Sequence, residues 1–308
     1  WMKPEENGVW EGEKTVEPGI GQVVLTLGDG ESMPLKRDTN RLIFGGTMLQ
    51  VRNERGTLVY SKIKSKEASE KIVYNTLTVP VRERFQLVLA DGTKVFLNSG
   101  SEMRYPERFG KARREVFLKG EAWFEVAKDS AREFWVHAGA MDVKVLGTSF
   151  NVKAYERLET VATTLVEGSV EVACAGKSFQ IVPGEQFVYD KNNRVMDVRM
   201  VDTESYVSWK DGYYKFRQTT LEEIMETLSV WYGLNVFYVN ESAKQVEFTG
   251  KVRRYEDARM LLDKFEQTGD VVFDIKGNNV FITIKQKKPF AREWNSFLVK
   301  ARGMVWQS

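Results

Sequence analysis

Alternating hydrophobicity limits what the first 200 residues of this chain can fold into. From about Thr15 to Met200, short runs alternate apolar and polar residues, and turns separate them at intervals of roughly 8 to 12 residues. The clearest turn signals are Gly28-Asp29-Gly30, Ala90-Asp91-Gly92, Glu167-Gly168 and Pro183-Gly184. Strands with one buried face and short turns are typical of an all-β sandwich, barrel or solenoid. The pattern therefore predicts an all-β domain.

One strand and turn unit occurs twice in this region. Val23–Leu35 reads VVLTLGDGESMPL, and Leu87–Asn98 reads LVLADGTKVFLN. In the second copy the alternation resumes after Asp91-Gly92, as a hairpin with one buried face requires. We therefore expect residues 15–75 to extend the same β domain, with Lys62–Lys71 as a charged connecting loop.

Near Trp209 the pattern changes and helical periodicity begins. One apolar stripe consists of Leu221, Ile224, Met225, Leu228 and Trp231. Thr220 precedes this stripe as a helix cap, and Gly233 follows it as a stop. A similar stripe lies 37 residues later, at Ala258, Leu261, Leu262 and Phe265. Since a strand-like run follows each stripe, the sequence predicts a βαβ repeat packed as one small α+β domain.

Composition excludes several classes of function. The 45 basic and 43 acidic side chains leave a net charge of +2, which provides no long-range field for capturing nucleic acid. His137 is the only histidine and Cys174 the only cysteine, so neither a Cys/His zinc site nor an internal disulfide can form. Both residues lie in apolar, strand-like surroundings and are predicted to be structural. We expect no enzymatic activity, metal, cofactor or nucleic-acid partner.

The best carboxylate pair is Glu121 and Glu125, which share a strand face with Trp123. At about 3.3 Å per residue they lie roughly 13 Å apart, beyond the ~5 to 9.5 Å that glycoside hydrolysis requires. We expect Phe124 and Val126 to fill the core, and the two glutamates to face solvent or to cap adjacent turns.

A basic cluster follows the second hairpin and brackets two aromatic residues. Its members are Arg104, Arg108, Lys111, Arg113 and Arg114. Stacking of single-stranded nucleic acid on such a cluster is one interpretation. Acidic neighbours dilute its charge, so we predict a solvated loop instead.

Several long phrases resemble one protein family. In the β region they are LVLADGTKVFLNSGS, VFLKGEAWFEVAKD and MDVKVLGTSFNVKAY, beginning at Leu87, Val116 and Met141. In the C-terminal region they are WKDGYYKF and TLEEIMETLSVWYGLNV, beginning at Trp209 and Thr220. In this order they resemble the periplasmic region of FecR proteins of the Bacteroides type. These are membrane-anchored anti-sigma factors that end in a domain like the N-terminal domain of secretins and TonB-dependent receptors.

The resemblance implies a signalling protein. Family members bind the signalling domain of an outer-membrane TonB-dependent transducer in the periplasm, and relay the signal to an extracytoplasmic-function sigma factor. The sigma-binding cytoplasmic segment and the membrane anchor of the family are absent from this sequence, which opens with Trp1 before Met2. We therefore expect the soluble part of an inner-membrane protein, located in the periplasm.

Four segments are predicted. They are a flexible N-terminal segment (1–14), an all-β FecR-like domain (15–205), an α+β domain of the secretin/TonB N-terminal type (206–285) and a C-terminal tail (286–308). The resemblance favours a twisted, solenoid-like form of the β domain over a sandwich-like one. The tail is either a plain extension, an amphipathic helix docked on the domain, or a peptide presented to a partner.

Aromatic residues near the predicted domain boundary are the candidates for partner contact. They are Tyr213, Tyr214, Phe216, Trp231 and Tyr232. The alternative is that these side chains hold the two domains together.

A periplasmic carbohydrate-binding module is the second hypothesis for function. Eight Trp, eleven Tyr and eighteen Phe residues on a largely β scaffold could supply stacking platforms for sugars. Aromatic residues at strand spacing are more often part of the core, and we expect Trp135, Phe150, Phe179 and Phe187 to be buried.

Overall fold

The computed structural model describes residues 21–36, 41–45, 49–54, 56–62, 72–254 and 258–285. The predictions for the N-terminal segment 1–14, for nearly all of the loop Lys62–Lys71 and for the tail 286–308 lie outside the described residues.

The β region contains 18 strands among the described residues. These are β1 (Val23–Thr26), β2 (Ser32–Leu35), β3 (Arg41–Gly45), β4 (Leu49–Glu54), β5 (Thr57–Lys62), β6 (Tyr74–Thr78), β7 (Phe85–Val88), β8 (Lys94–Leu97), β9 (Glu102–Pro106), β10 (Arg114–Glu125), β11 (Phe134–Ala138), β12 (Met141–Val145), β13 (Ser149–Ala154), β14 (Thr160–Glu167), β15 (Val170–Cys174), β16 (Lys177–Ile181), β17 (Glu185–Asp190) and β18 (Val195–Met200).

The strands form two sheets that share β10. The first sheet has the order β2-β1-β6-β9-β10-β11-β12-β15-β16. The second has the order β3-β4-β5-β7-β8-β10-β13-β14-β17-β18. Within these two sheets of the described β region, only β10–β11 and β5–β7 are parallel pairs. The predicted hairpins around Asp29 and Asp91 are present as β1–β2 and β7–β8.

A single apolar core lies between side chains of both sheets. Val116 and Leu118, on the half of β10 in the first sheet, share this core with Phe124, on the half in the second. Phe124 stacks on Phe150 of β13, with ring centroids 5.2 Å apart. This two-layer arrangement and the α+β part that follows confirm the predicted fold class, mainly β plus α+β.

The described C-terminal region contains three short helical elements and two βαβ units. Its elements are α1 (Thr203–Val207), a 3₁₀ helix (Ser208–Asp211), β19 (Tyr213–Thr220), α2 (Leu221–Tyr232), β20 (Asn235–Tyr238), a second 3₁₀ helix (Glu241–Gln245), β21 (Glu247–Arg253), α3 (Ala258–Thr268), β22 (Val271–Lys276) and β23 (Asn279–Ile284). The first strands of the two units pair as β19–β21, and β23 pairs with both β20 and β22. The predicted βαβ repeat is therefore confirmed.

Helix α2 begins and ends where its sequence predicts. Thr220 Oγ1 accepts a hydrogen bond from the backbone N of Glu223 at 3.3 Å, which caps the first turn. Gly233 has a φ of +69°, the left-handed conformation that ends many helices. The apolar stripe from Leu221 to Leu228 is buried.

The prediction of a solvated basic loop is wrong for Arg114. This side chain is fully buried, and its Nη1 donates to Asp91 Oδ2 at 2.9 Å and to the carbonyl of Ala127 at 2.8 Å. Nε and Nη2 donate to the carbonyl of Arg132 at 3.2 and 2.9 Å. Because Arg114 opens β10 on its core-facing side, its charge is balanced inside the protein and not by water. Its neighbour Arg113 is exposed, as expected.

Candidate functional site

The outer face of the second sheet is covered by the C-terminal region. Trp123 of β10 is only 4% exposed and lies in the same apolar cluster as Trp209 and Tyr214. Phe96 of β8 and Val166 of β14 pack against that cluster. Side chains from the β region therefore complete the core of the C-terminal region, and the contact between the two, here named the junction, is the candidate functional site.

A buried carboxyl group lies at the centre of the junction. Glu121, two residues before Trp123 on β10, is 7% exposed. Asn98 Nδ2 donates to its Oε2 at 2.7 Å, and Asn151 Nδ2 donates to its Oε1 at 2.9 Å. Trp209 Nε1 donates to Asn151 Oδ1 at 3.2 Å, so the network runs from the β region into the first 3₁₀ helix. The expectation that Glu121 faces solvent or caps a turn is wrong, because the C-terminal region covers this part of the sheet.

Burial changes the acidity of this carboxyl group. Desolvation raises the pKa of Glu121 above its usual range. The positive charge of Lys153, the two asparagine amides and the charge of Arg254 oppose that rise. Glu125, on the same face of β10, remains 40% exposed and pairs with Lys94 at 3.6 Å, so it does face solvent as predicted.

The β region also caps the end of α2. The last carbonyl groups of a helix have no partner within the helix. Here Ser99 Oγ donates to the carbonyl oxygen of Val230 at 3.1 Å, and the backbone N of Arg82 donates to the carbonyl oxygen of Trp231 at 3.1 Å. These bonds hold the C-terminal end of α2 against the loops around β7 and β8.

Charged side chains surround the apolar part of the junction. Lys153 Nζ lies 3.4 Å from Glu226 Oε2 of α2, and Arg199 Nη2 lies 3.5 Å from Glu223 Oε1. The guanidinium of Arg254 lies 3.7 Å from the centre of the Trp231 ring. Partly exposed ion pairs contribute little to stability, so they orient the two regions more than they hold them together.

An open cleft of about 660 Å³ lies beside the cap of α2. Val79, Val81 and Tyr155 line it from the β region, and Val230 and Gly233 line it from the end of α2. Its walls therefore come from both sides of the junction.

The five predicted contact residues all lie at or near the junction, but three of them are inaccessible. Tyr214, Phe216 and Tyr232 are buried in the shared cluster. Tyr213 and Trp231 are half-buried. Their role in binding a partner stays a prediction, and burial limits direct contact to the latter two. Sequence reasoning missed Asn98 and Asn151, because an asparagine in or next to a strand carries no signal for what it will contact.

The aromatic residues of the β region give a mixed result. Phe150 and Phe187 are buried, as predicted, whereas Trp135 and Phe179 are half-buried. The Trp135 ring lies within 6 Å of two cations, Lys144 Nζ at 5.7 Å and the Arg113 guanidinium at 5.9 Å. His137 is hydrogen-bonded to Asp142 at 2.7 Å.

Two absences concern the described residues alone. Among them, no group of three or more His, Cys, Asp or Glu side chains is placed to hold a metal ion. No described helix has the length and apolar character needed to cross a membrane.

Two family models match the chain, one on each side of the junction. The model for the FecR protein matches residues 75–171, and the model for the FecR C-terminal part matches residues 213–282. Together they cover more than half of the sequence.

The chain belongs to the FecR family of anti-sigma factors.

Solved structures agree with this assignment. Two crystal structures of a candidate anti-sigma factor from Parabacteroides distasonis ATCC 8503, at 1.65 and 2.50 Å resolution, are each 27% identical to this FecR-family chain. They cover 68% and 69% of it, and 99% and 100% of their own length, with TM-scores of 0.63 and 0.62. None of the curated proteins matches the chain.

Family membership gives the chain a signalling role as an anti-sigma factor, in a family that is regulatory and not enzymatic. Such a role implies interaction with a sigma factor and with a signalling partner. Three members of the carboxyl network, Asn98, Glu121 and Asn151, lie within the segment that the FecR model matches. Trp209 lies between the two matched segments, four residues before the second begins.

Proposed function

We propose that this chain is the periplasmic, signal-receiving part of an inner-membrane anti-sigma factor. It binds the signalling domain of an outer-membrane TonB-dependent transducer and relays the signal to an extracytoplasmic-function sigma factor. The relay runs through a membrane anchor and a cytoplasmic sigma-binding segment of the same protein. In this scheme residues 15–205 form the β domain and residues 206–285 the domain that meets the transducer.

The observation that carries this proposal is the shared apolar cluster at the junction. Trp123 contributes to the core of the C-terminal region, so a change in that region alters the packing of β10. A partner shifts an equilibrium only if it binds two arrangements with different affinity. A transducer that prefers one packing of the junction therefore acts on the β region without touching it.

The outer face of the three-stranded sheet β20-β23-β22 fits such a partner. Phe237 and Val239 are 48% and 63% exposed, and Phe237 stacks on Phe281 of β23 with ring centroids 5.1 Å apart. Within the described residues, β20 pairs with β23 alone, so its outer edge is open for strand addition, whereas on β22 the backbone N of Phe273 donates to Glu266 of α3. An open edge beside an exposed apolar pair supplies backbone hydrogen bonds and a side-chain anchor together.

The carbohydrate-binding alternative has less support. Sugar platforms need open ring faces, and two of the tryptophans, Trp123 and Trp209, are buried at the junction. Trp135 has cations beside its ring.

The proposal is tested by calorimetric titration of this chain with the isolated signalling domain of a TonB-dependent transducer encoded beside it. We expect saturable binding at micromolar affinity or better, with an interface of standard size, about 800 Å² on each partner. Phe237→Ala should weaken binding at least about tenfold, as removal of an interface anchor does. Its melting temperature should change little, because the ring is half exposed.

Met260→Ala is the matched control, since Met260 is 55% exposed on α3 of the same region. It should bind as the unaltered chain does. A panel of glycans titrated in parallel tests the alternative: sugar binding without transducer binding would refute the anti-sigma relay for this chain. Equal loss of affinity in both variants would refute the β20-β23-β22 face as the contact.

A further inference from the structure

We propose that Glu121 is a proton-linked latch, so that the junction closes with uptake of a proton and opens with its release. This equilibrium requires only the residues of this chain. It is independent of the proposed binding to a transducer and can be tested without a partner protein.

The position of Glu121 makes its charge depend on whether the junction is closed. Trp209 of the first 3₁₀ helix donates to Asn151, the partner of Glu121, and Tyr214 of the next strand is near enough for the charge of Glu121 to act on it. When these elements move away, water reaches the carboxyl group and its ordinary acidity returns. A buried charge without a matching counter-charge in direct contact is costly, so closure favours the neutral acid.

The network can accommodate the added proton. Trp209 Nε1 is a donor only, and its bond to Asn151 Oδ1 fixes the Asn151 amide with Nδ2 towards Glu121. Asn98 has no such restraint, and its Oδ1 is buried without a hydrogen-bond partner among the described residues. Rotation of the Asn98 amide by half a turn presents Oδ1 to a protonated Glu121, which then donates to it. The rotation gives the added proton an acceptor in Oδ1 and turns Nδ2, which donates to the ionised carboxylate, away from Glu121.

Charged and titratable groups face Glu121 from each element around it. Lys153 on β13 and Arg254 after β21 favour the ionised form, while the hydroxyl groups of Tyr155 and Tyr214 are close enough to be affected by its charge. Lys153 also forms an ion pair with Glu226, and this pairing weakens the effect of the Lys153 charge on Glu121. Desolvation is the largest effect on Glu121, and these cations reduce it without reversing it.

The sign of the pH dependence follows from this balance. An exposed glutamate has a pKa of about 4.3, and the closed junction raises it. The closed form therefore binds more protons than the open form. Its added stability is complete below the open-state pKa and is lost as the pH rises through the closed-state pKa. Between the two values the ratio of closed to open molecules falls about tenfold for each pH unit.

Hydrogen exchange followed by mass spectrometry tests the latch on the chain as it exists. The readout is the protection of amides in residues 208–216, from about pH 4 to pH 8, after correction for the intrinsic rate of exchange. We expect protection to fall as the pH rises, while amides of β14 stay protected. Glu121→Gln keeps the shape and the neutral state, so its protection should be high and independent of pH.

Two further variants make the result decisive. Glu125→Gln removes an exposed carboxyl group from the same face of the same strand, and it should titrate as the unaltered chain does. Lys153→Gln removes a charge that lowers the pKa of Glu121, so the loss of protection should move to higher pH. The latch is overturned if Glu121→Gln keeps the original pH dependence, or if Lys153→Gln moves the loss to lower pH.

Discussion

The Arg114 side chain connects β10 with three other segments of the β region, around Asp91, Ala127 and Arg132. Its guanidinium lies against the turn before β8 through Asp91, the carbonyls of Ala127 and Arg132, and the ring of Phe134 at 5.4 Å. Each nitrogen of the planar fork has an acceptor, which is how a buried cation is tolerated. Removal of one partner from a buried ion pair leaves the other charge uncompensated.

Arg114→Lys keeps the charge, but an ammonium group cannot reach all these acceptors, so it is expected to lower the free energy of unfolding by about 1 to 3 kcal/mol. Chemical denaturation monitored by circular dichroism measures this change. Arg113→Lys is the control, since the Arg113 side chain is 55% exposed and pairs only with Glu115 among the ion pairs of the described residues. It should alter stability by less than about 0.5 kcal/mol. Equal effects of both substitutions would contradict the structural role of Arg114.

The longest strand, β10, belongs to both sheets because it turns at Gly120. Residues before the glycine pair with β9 and β11, and residues after it pair with β8 and β13. Gly120 has a φ of +107°, and an added Cβ would lie 2.7 Å from the Cα of Ser101. Both the conformation and the space therefore require glycine here.

Gly120→Ala should destabilise the protein by more than about 1 kcal/mol from backbone strain alone, with the clash against Ser101 added. Gly250→Ala on β21 is the matched control, because nothing lies within 4 Å of its added Cβ and its φ is ordinary. Thermal unfolding of the two variants should differ clearly, with Gly250→Ala close to the unaltered chain. A Gly120→Ala variant that melts normally would show that β10 can turn without glycine.

In the whole molecule, the junction couples two regions that each have a core. Trp123 is the main link, because it lies on a strand of the β region but packs in the C-terminal cluster. Its truncation to alanine leaves a cavity in the cluster without touching the core between the two sheets.

Trp123→Ala should lower stability by about 3 to 5 kcal/mol, as loss of a buried tryptophan does. We expect the loss to fall mainly on the C-terminal region, so that one calorimetric transition separates into two. Trp135→Ala, on the half-buried outer side of β11, should keep a single transition. If Trp123→Ala also unfolds in one step at a lower temperature, the two regions form one cooperative unit through contacts other than this ring.

Much of this architecture follows from local patterns. The hairpins around Asp29 and Asp91, the bounds of α2 and the repeat of βαβ units are confirmed because turn residues, caps and apolar periodicity act over a few residues. The candidate site was only partly predictable. Tyr214 and Phe216 lie in the shared cluster, but alternation along β19 did not reveal how deeply each is buried, and their role in binding a partner stays a prediction.

The alternation along β10 is enough to predict which of its side chains share a face: Glu121, Trp123 and Glu125 on one side, Phe124 on the other. The family resemblance is also visible in the residues alone. That Glu121 and Trp123 are buried while Glu125 is exposed became known from the packing of the folded chain. The physical reason is that a period of two fixes direction relative to the strand, whereas burial depends on what packs above that face, here a region about 90 residues later in the chain.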